Sequence, residues 1–277
     1  MLFQLLRVIL KPVKKLEAFL HKRRLESTDW KNAILVYQPG KVGSTSICNA
    51  LNAQYDGPVI HLHIMKEEHR RKLKSPRIGD ETRQRLLSDY QSAFAPVKQL
   101  GKSSKIKIIT LTRDPLSRNL SAFYQNLDQI DKGKFDGAPF TQESLWELYM
   151  KSEKSTFILN WFDRELFLNF GIDVYARPFP NCGYVRLENE KADVLLMKHD
   201  LDDSEKSQLI REFTGLSNFN LERRSNVGAQ KWYKNDYELA KKTGFPNWYI
   251  DKMLNSKYTE HFYLRDIPEL RKRWTAK

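Results

Sequence analysis

Gln38-Pro39-Gly40-Lys41-Val42-Gly43-Ser44-Thr45-Ser46 follows a short apolar and β-branched run, AILVYQ at residues 33–38, and precedes helical spacing through Ile47, Ala50 and Leu51. The run predicts a buried strand, Pro39-Gly40 a turn, and the hydroxyl residues the start of a helix near Ser44. A strand that turns sharply into a helix leaves backbone N–H groups without partners, and the helix dipole adds positive potential at the same place. Such a junction attracts anions. Gly40 and Gly43 let the backbone approach a ligand closely, and Ser44, Thr45 and Ser46 add hydroxyl donors. The nucleotide-triphosphate pattern G-x-x-x-x-G-K-[ST] is not met, because Lys41 precedes the second glycine.

Working outward, residues 58–64 (PVIHLHI) and 106–112 (IKIITLT) read as two further strands, and residues 80–99 show helical spacing through Leu86, Leu87, Tyr90 and Phe94. Residues 141–170 read as helix, residues 183–187 and 194–197 as β runs, and residues 204–213 as another helix. Residues 221–277 are mostly helical in pattern and rich in aromatic side chains. Strand alternating with helix predicts an α/β fold: a P-loop-like three-layer domain with a central parallel sheet flanked by helices and a helical C-terminal part. No repeat, low-complexity tract or linker divides the chain. Residues 1–28 read as a basic amphipathic segment and residues 29–277 as a single domain.

Composition bounds the function. The chain of 277 residues is 40% hydrophobic and 29% charged, which suits a folded protein rather than a disordered one. A net charge of +13 favours phosphorylated cofactors, acidic polysaccharides, anionic lipid or nucleic acid, and is equally met by a solvated basic surface. Cys48 and Cys182 form no CxxC pair, which suits a reducing, cytoplasmic compartment, and no cluster has the spacing of a metal site. Met1 to Leu10 is apolar apart from Gln4 and Arg7, with Lys11, Lys14, Lys15, Lys22, Arg23 and Arg24 after it. About ten apolar residues cannot cross a bilayer, which needs roughly twenty. Charge after the apolar stretch also disagrees with a signal peptide. A helix lying on an anionic membrane and a helix docked on the domain both fit.

A second loop follows the third strand: Arg113-Asp114-Pro115-Leu116-Ser117-Arg118-Asn119-Leu120-Ser121-Ala122-Phe123. Asp114 is placed to cap a helix and Pro115 to open it. Asp114 and Arg118 have the spacing of an ion pair on one helix face. Arg113, at the strand end, and Ser121, two turns along the helix, could converge on one phosphate.

The first loop resembles the 5′-phosphosulfate loop of sulfotransferases that use 3′-phosphoadenosine 5′-phosphosulfate, particularly the carbohydrate-modifying ones. The second, R-D-P-x-x-R-x-x-S-x-F, resembles their 3′-phosphate motif. The resemblance implies that Lys41 contacts the bridging oxygen of the departing phosphate. The backbone of Gly40, Lys41, Val42 and Gly43, with Ser44, Thr45 and Ser46, would hold the 5′-phosphate, and Arg113 and Ser121 the 3′-phosphate. It implies transfer of a sulfuryl group to a saccharide hydroxyl without a metal, and no nucleic acid as partner.

Such a transfer needs a base for the hydroxyl proton. His61 and His63 lie two apart in the second strand and so on one face. An H-x-H here resembles the uronosyl 2-O-sulfotransferases, in which a histidine is the base. His63 is the first choice, His61 its partner or substitute, and Glu67 and Glu68 the rivals that other sulfotransferases suggest. The basic stretch His69, Arg70, Arg71, Lys72, Lys74 and Arg77 could meet an acidic glycan or simply face water.

Late in the chain, Arg224 and Asn226 sit in a segment that resembles the basic, asparagine-containing loop of sulfotransferases that covers the adenosine phosphate. Asn226-x-Gly228-x-x-Lys231-Trp232-Tyr233, with the later run Tyr258 to Tyr263, also resembles a bacterial group of capsular polysaccharide synthesis proteins. Two other readings stay open. A nucleotide-dependent kinase on a related P-loop fold would need ATP and magnesium. A non-enzymatic protein that binds polyanions or membrane would show salt-sensitive binding without donor affinity.

Overall fold

The computed structural model describes residues 32–65, 105–125, 146–147, 149–150, 156–221 and 234–275. The segment 1–28, the helical pattern of 80–99, Glu67, Glu68, the basic stretch from His69 to Arg77, and Arg224 and Asn226 lie outside them.

Five strands form one sheet: β1 (Ile34–Tyr37), β2 (Val59–Leu62), β3 (Ile106–Thr112), β4 (Tyr184–Glu188) and β5 (Ala192–Lys198), in the order β2-β1-β3-β5-β4. β1, β2, β3 and β5 are parallel, with Tyr37 opposite Leu62 and Thr112 opposite Lys198. The central strands are buried on both faces, which is why they are rich in apolar residues, with β1 (ILVY) apolar throughout. Leu35, Ile108, Val194 and Leu196 join one core, and Ile34, Val36, Ile109 and Met197 the other. Helices α1 (Ser44–Gln54) and α5 (Asp203–Thr214) cover the second core through Ile47, Leu51, Ile210 and Phe213.

The first core is larger. Helix α2 (Pro115–Gln125) packs into it with α7 (Asn247–Leu254), α8 (Lys257–Tyr263) and α9 (Ile267–Trp274). The helix α6 (Lys234–Thr243) lies against the same side through Tyr237 and Ala240. Among the described residues no helix is long and apolar enough to cross a membrane.

Two expectations need correction. The sheet is mostly, not wholly, parallel: β4 runs antiparallel to β5. Residues 189–191 are too few for a crossover, and Asn189 Oδ1 closes the turn by accepting from the N–H groups of Lys191 and Ala192. The helical reading of 141–170 is broken where it is described. After α3 (Thr156–Leu159) the chain widens into a π-helical turn, Phe162–Phe167, before α4 (Leu168–Phe170). That turn turns Glu165 inward, where its carboxylate is buried and accepts from the Tyr37 hydroxyl and, at 2.8 Å, from the Met65 N–H. Burial pushes the Tyr37 hydroxyl far above its ordinary pKa, and the charge and hydrogen bond of Glu165 push it further.

Candidate functional site

Parallel strands bring their C-terminal ends to one edge of a sheet. Read across the sheet, the four parallel strands end at Leu62, Tyr37, Thr112 and Lys198. The residues that follow them are His63, Gln38, Arg113 and His199. With neighbouring strands about 4.8 Å apart, this row is roughly 14 Å long. Between β1 and β3 the strand order reverses, and open α/β sheets bind their ligands at such a point.

The first loop lies in the middle of the row. Val42 is fully buried in the second core, so its side chain anchors the loop and only its backbone can face a ligand. Lys41 has φ of 74°, a left-handed conformation that side chains rarely adopt. Gly43, also left-handed at φ 85°, caps α1 with no side-chain cap, leaving the helix N-terminus to other partners. The three hydroxyls are not equivalent. Ser44 is buried, and its Oγ meets Gln38 Nε2 and, at 2.9 Å, His61 Nε2. Ser46 donates to Gly43 O at 3.0 Å. Thr45 is exposed, and its hydroxyl makes no hydrogen bond among the described residues.

The second loop is tied directly to the first. Arg113 donates from NH1 to Lys41 O at 3.0 Å, and Arg118 donates from Nε to Gly40 O at 2.9 Å. Asp114 caps α2 as expected, accepting from the Ser117 N–H at 2.8 Å. Arg118 also packs its guanidinium over the Phe157 ring, so it bridges the loops rather than only decorating its own helix. The Tyr258 hydroxyl accepts from the Arg113 N–H and donates to the Arg113 carbonyl, while Tyr263 meets Thr112 Oγ1 at 2.9 Å. Two tyrosines of α8 thus fix the end of β3.

The histidine pair meets the first loop from the other side. The His61 and His63 rings lie 4.9 Å apart. His61 Nε2 is 2.9 Å from both Ser44 Oγ and Gln38 Nε2, two donors, so its lone pair is already engaged. Its pKa is lowered to about 4, first by burial and then by His63. His63 keeps part of its surface open to solvent while the rest is packed against the first loop, and its Nδ1 lies 3.2 Å from Gln38 O. Gln38 Nε2 also lies 3.3 Å from Nδ1. The tautomer that donates from Nδ1 to the carbonyl leaves Nε2 as the basic atom, on the side of Gly40, and the one that accepts from Gln38 Nε2 protonates Nε2 instead. Burial lowers the His63 pKa, with Gln38 opposing and the charges of Arg118 and Lys41 adding to the fall. Gln38 Oε1 is buried beside these groups without a partner.

Beyond Arg113 a cavity of about 270 Å³ opens, lined by Arg113, Asp114, Ser117, His199, Tyr263 and Asp266 among others. Ser117 lines it; Ser121, one turn further along α2, does not. His199 continues the β3–β5 ladder through its N–H to Thr112 O at 2.8 Å. Its pKa is lowered to about 4 by burial, then by Arg113 and Lys206. A Cβ on Gly43 would stand 2.7 Å from His199 Cδ2. Gly43→Ala is therefore expected to cost about 1–3 kcal/mol through strain and overpacking. Adding His199→Ala should return only the contact part, leaving the backbone part; strictly additive losses in urea denaturation would contradict the contact.

Comparison with known families places one part of the chain. Residues 138–264 match the model of a family described as "Putative capsular polysaccharide synthesis protein". No curated protein and no solved structure matches the chain. The match covers just under half of the sequence and excludes both loops. It includes Trp161, Glu165, Tyr258 and Tyr263, the side chains that hold the strand ends.

Gln38 and His199 received no role from sequence. Each directly follows a buried parallel strand, as Arg113 does, and that position was the available signal. Trp161 and Glu165 carried no such signal, because their partners lie about a hundred residues away.

Proposed function

We propose that this protein transfers a sulfuryl group from 3′-phosphoadenosine 5′-phosphosulfate to a saccharide hydroxyl, on a P-loop-like α/β frame, in the synthesis of a cell-surface or capsular polysaccharide. One observation carries the reading: the row His63, first loop, Arg113 along a single sheet edge, with the two loops hydrogen-bonded to each other. The fit to the donor is supported by the uncapped, glycine-headed N-terminus of α1.

In this reading the donor supplies the sulfuryl group on a phosphate leaving group. The backbone from Gly40 to Gly43, Thr45 and Ser46 hold the 5′-phosphate, and Lys41 neutralises charge on it. Arg113 holds the 3′-phosphate. Ser121 stands further off, and Ser117 lies nearer the cavity. Ser44 acts through its hydrogen bonds, fixing Gln38 and His61. His63 takes the acceptor proton at Nε2, and its lowered pKa keeps it unprotonated near neutral pH. Arg224 and Asn226 cover the adenosine phosphate. The family description supports a polysaccharide context, since a saccharide supplies the hydroxyl. The basic N-terminal segment would place the enzyme at the cytoplasmic membrane surface, near a growing glycan.

Calorimetry with 3′-phosphoadenosine 5′-phosphate and with ATP, each with and without magnesium, tests the class. The expected result is metal-independent binding of the bisphosphate, about tenfold or more tighter than ATP. Magnesium-dependent ATP binding without bisphosphate affinity would make the protein a kinase. Salt-sensitive polyanion binding with no affinity for either nucleotide would make it a binding protein.

A further inference from the structure

The end of β2 carries a second set of contacts that the donor site does not use. Trp161 is almost fully buried and donates from Nε1 to the His63 carbonyl at 2.7 Å. Four residues on, inside the π-helical turn, Glu165 accepts from the Met65 N–H at 2.8 Å. The backbone on both sides of Ile64 is therefore gripped by one short segment. Glu165 is itself held by the Tyr37 hydroxyl, and Asn169 Nδ2 reaches Tyr37 Oη at 3.2 Å and Glu165 O at 2.8 Å. Tyr37 is the last residue of β1 and precedes Gln38, whose carbonyl faces His63 Nδ1. The ring and backbone of His63 are thus fixed from two directions that meet at Glu165. Trp161 and Glu165 are four residues apart, a spacing that puts both on the helix face turned to β2, and the π-helical turn begins between them.

We propose that the segment from Trp161 to Glu165 is a positioning clamp that sets the orientation of His63, so that its Nε2 faces the first loop at Gly40. Trp161 and Glu165 are positioning residues and touch no ligand. The effect on transfer rests on His63 being the base; the clamp itself does not.

The test reads His63 directly. The groups facing its ring are His61 from β2, Lys41 from the first loop and Arg118 from α2. Trp161→Phe keeps ring packing against Tyr37 and Phe162 but removes the N–H donor. In the full chain, the His63 Cε1–H resonance followed by NMR should titrate about half a pH unit or more higher, toward the ordinary histidine value, as the ring leaves the first loop and the charges of Lys41 and Arg118 and swings further into water. Turnover should fall about tenfold with the KM for donor unchanged. Glu165→Gln, which keeps a carbonyl acceptor for Met65, should titrate as wild type, whereas Glu165→Ala should follow Trp161→Phe. A folded Trp161→Phe protein with an unmoved His63 midpoint overturns the clamp. Should that variant not fold, the same midpoint in Glu165→Gln against Glu165→Ala decides. Wild-type turnover in His63→Ala would remove the base assignment alone.

Discussion

Lys41→Gly is expected to make the protein more stable and nearly inactive. Lys41 holds φ at 74°, a conformation that costs an L-residue about 1–2 kcal/mol and glycine almost nothing. Glycine returns part of that gain through the greater freedom of its unfolded chain, roughly 0.5–1 kcal/mol. The net gain is about 1 kcal/mol or less, a melting temperature higher by about 2–4 °C at most. The same change deletes the only side chain assigned to neutralise the leaving phosphate, and loss of one such group costs about 10²–10³-fold in turnover. Lys41→Ala separates the two effects, because alanine keeps the strained backbone and loses the cation. It should be as inactive as glycine without the stability gain. Melting curves and transfer to a panel of saccharides check both parts. Unchanged turnover in either variant would remove Lys41 from the reaction.

The second large effect concerns the buried carboxylate. Glu165→Ala leaves the Tyr37 hydroxyl and the Met65 N–H without their acceptor in a region closed to water. Each buried donor left without an acceptor costs about 1–3 kcal/mol, so the two together cost more than an exposed ion pair contributes. A fall in melting temperature on the order of 10 °C is expected. Glu165→Gln retains one carbonyl oxygen and should lose no more than about half as much. Equal losses in heat or urea denaturation would mean that packing, not hydrogen bonding, holds this junction. The two variants also test whether the family-matched half of the chain supports the half that bears the loops. Glu165 lies in the first and Tyr37 and Met65 in the second.

The match between residues 138–264 and a polysaccharide-synthesis family takes on a physical meaning at this point. The matched segment supplies Trp161 and Glu165 to the end of β2 and Tyr258 and Tyr263 to the end of β3. It frames the loops and carries few of the groups that would do chemistry. Burial of Tyr258 and Tyr263 pushes both hydroxyls well above their ordinary pKa. They remain neutral and serve as fixed hydrogen-bonding posts.

Much of this is legible in the sequence alone. The apolar runs of β1 and β3, the glycine-headed start of α1 and the Asp114-Pro115 opening of α2 are short-range features. Burial on both faces demands an apolar run, and helix ends demand caps, so each leaves a mark within a few residues. The strand order was not written that way. That His63, Gln38, Arg113 and His199 stand side by side follows from which strands pair, a choice made by packing between segments far apart in the chain. The inward turn of Ser44, the reach of Arg118 to Gly40 and the π-turn that delivers Glu165 were likewise decided by tertiary structure. Each satisfies a buried polar group with a distant partner, and the demand for that partner exists only once the core has closed.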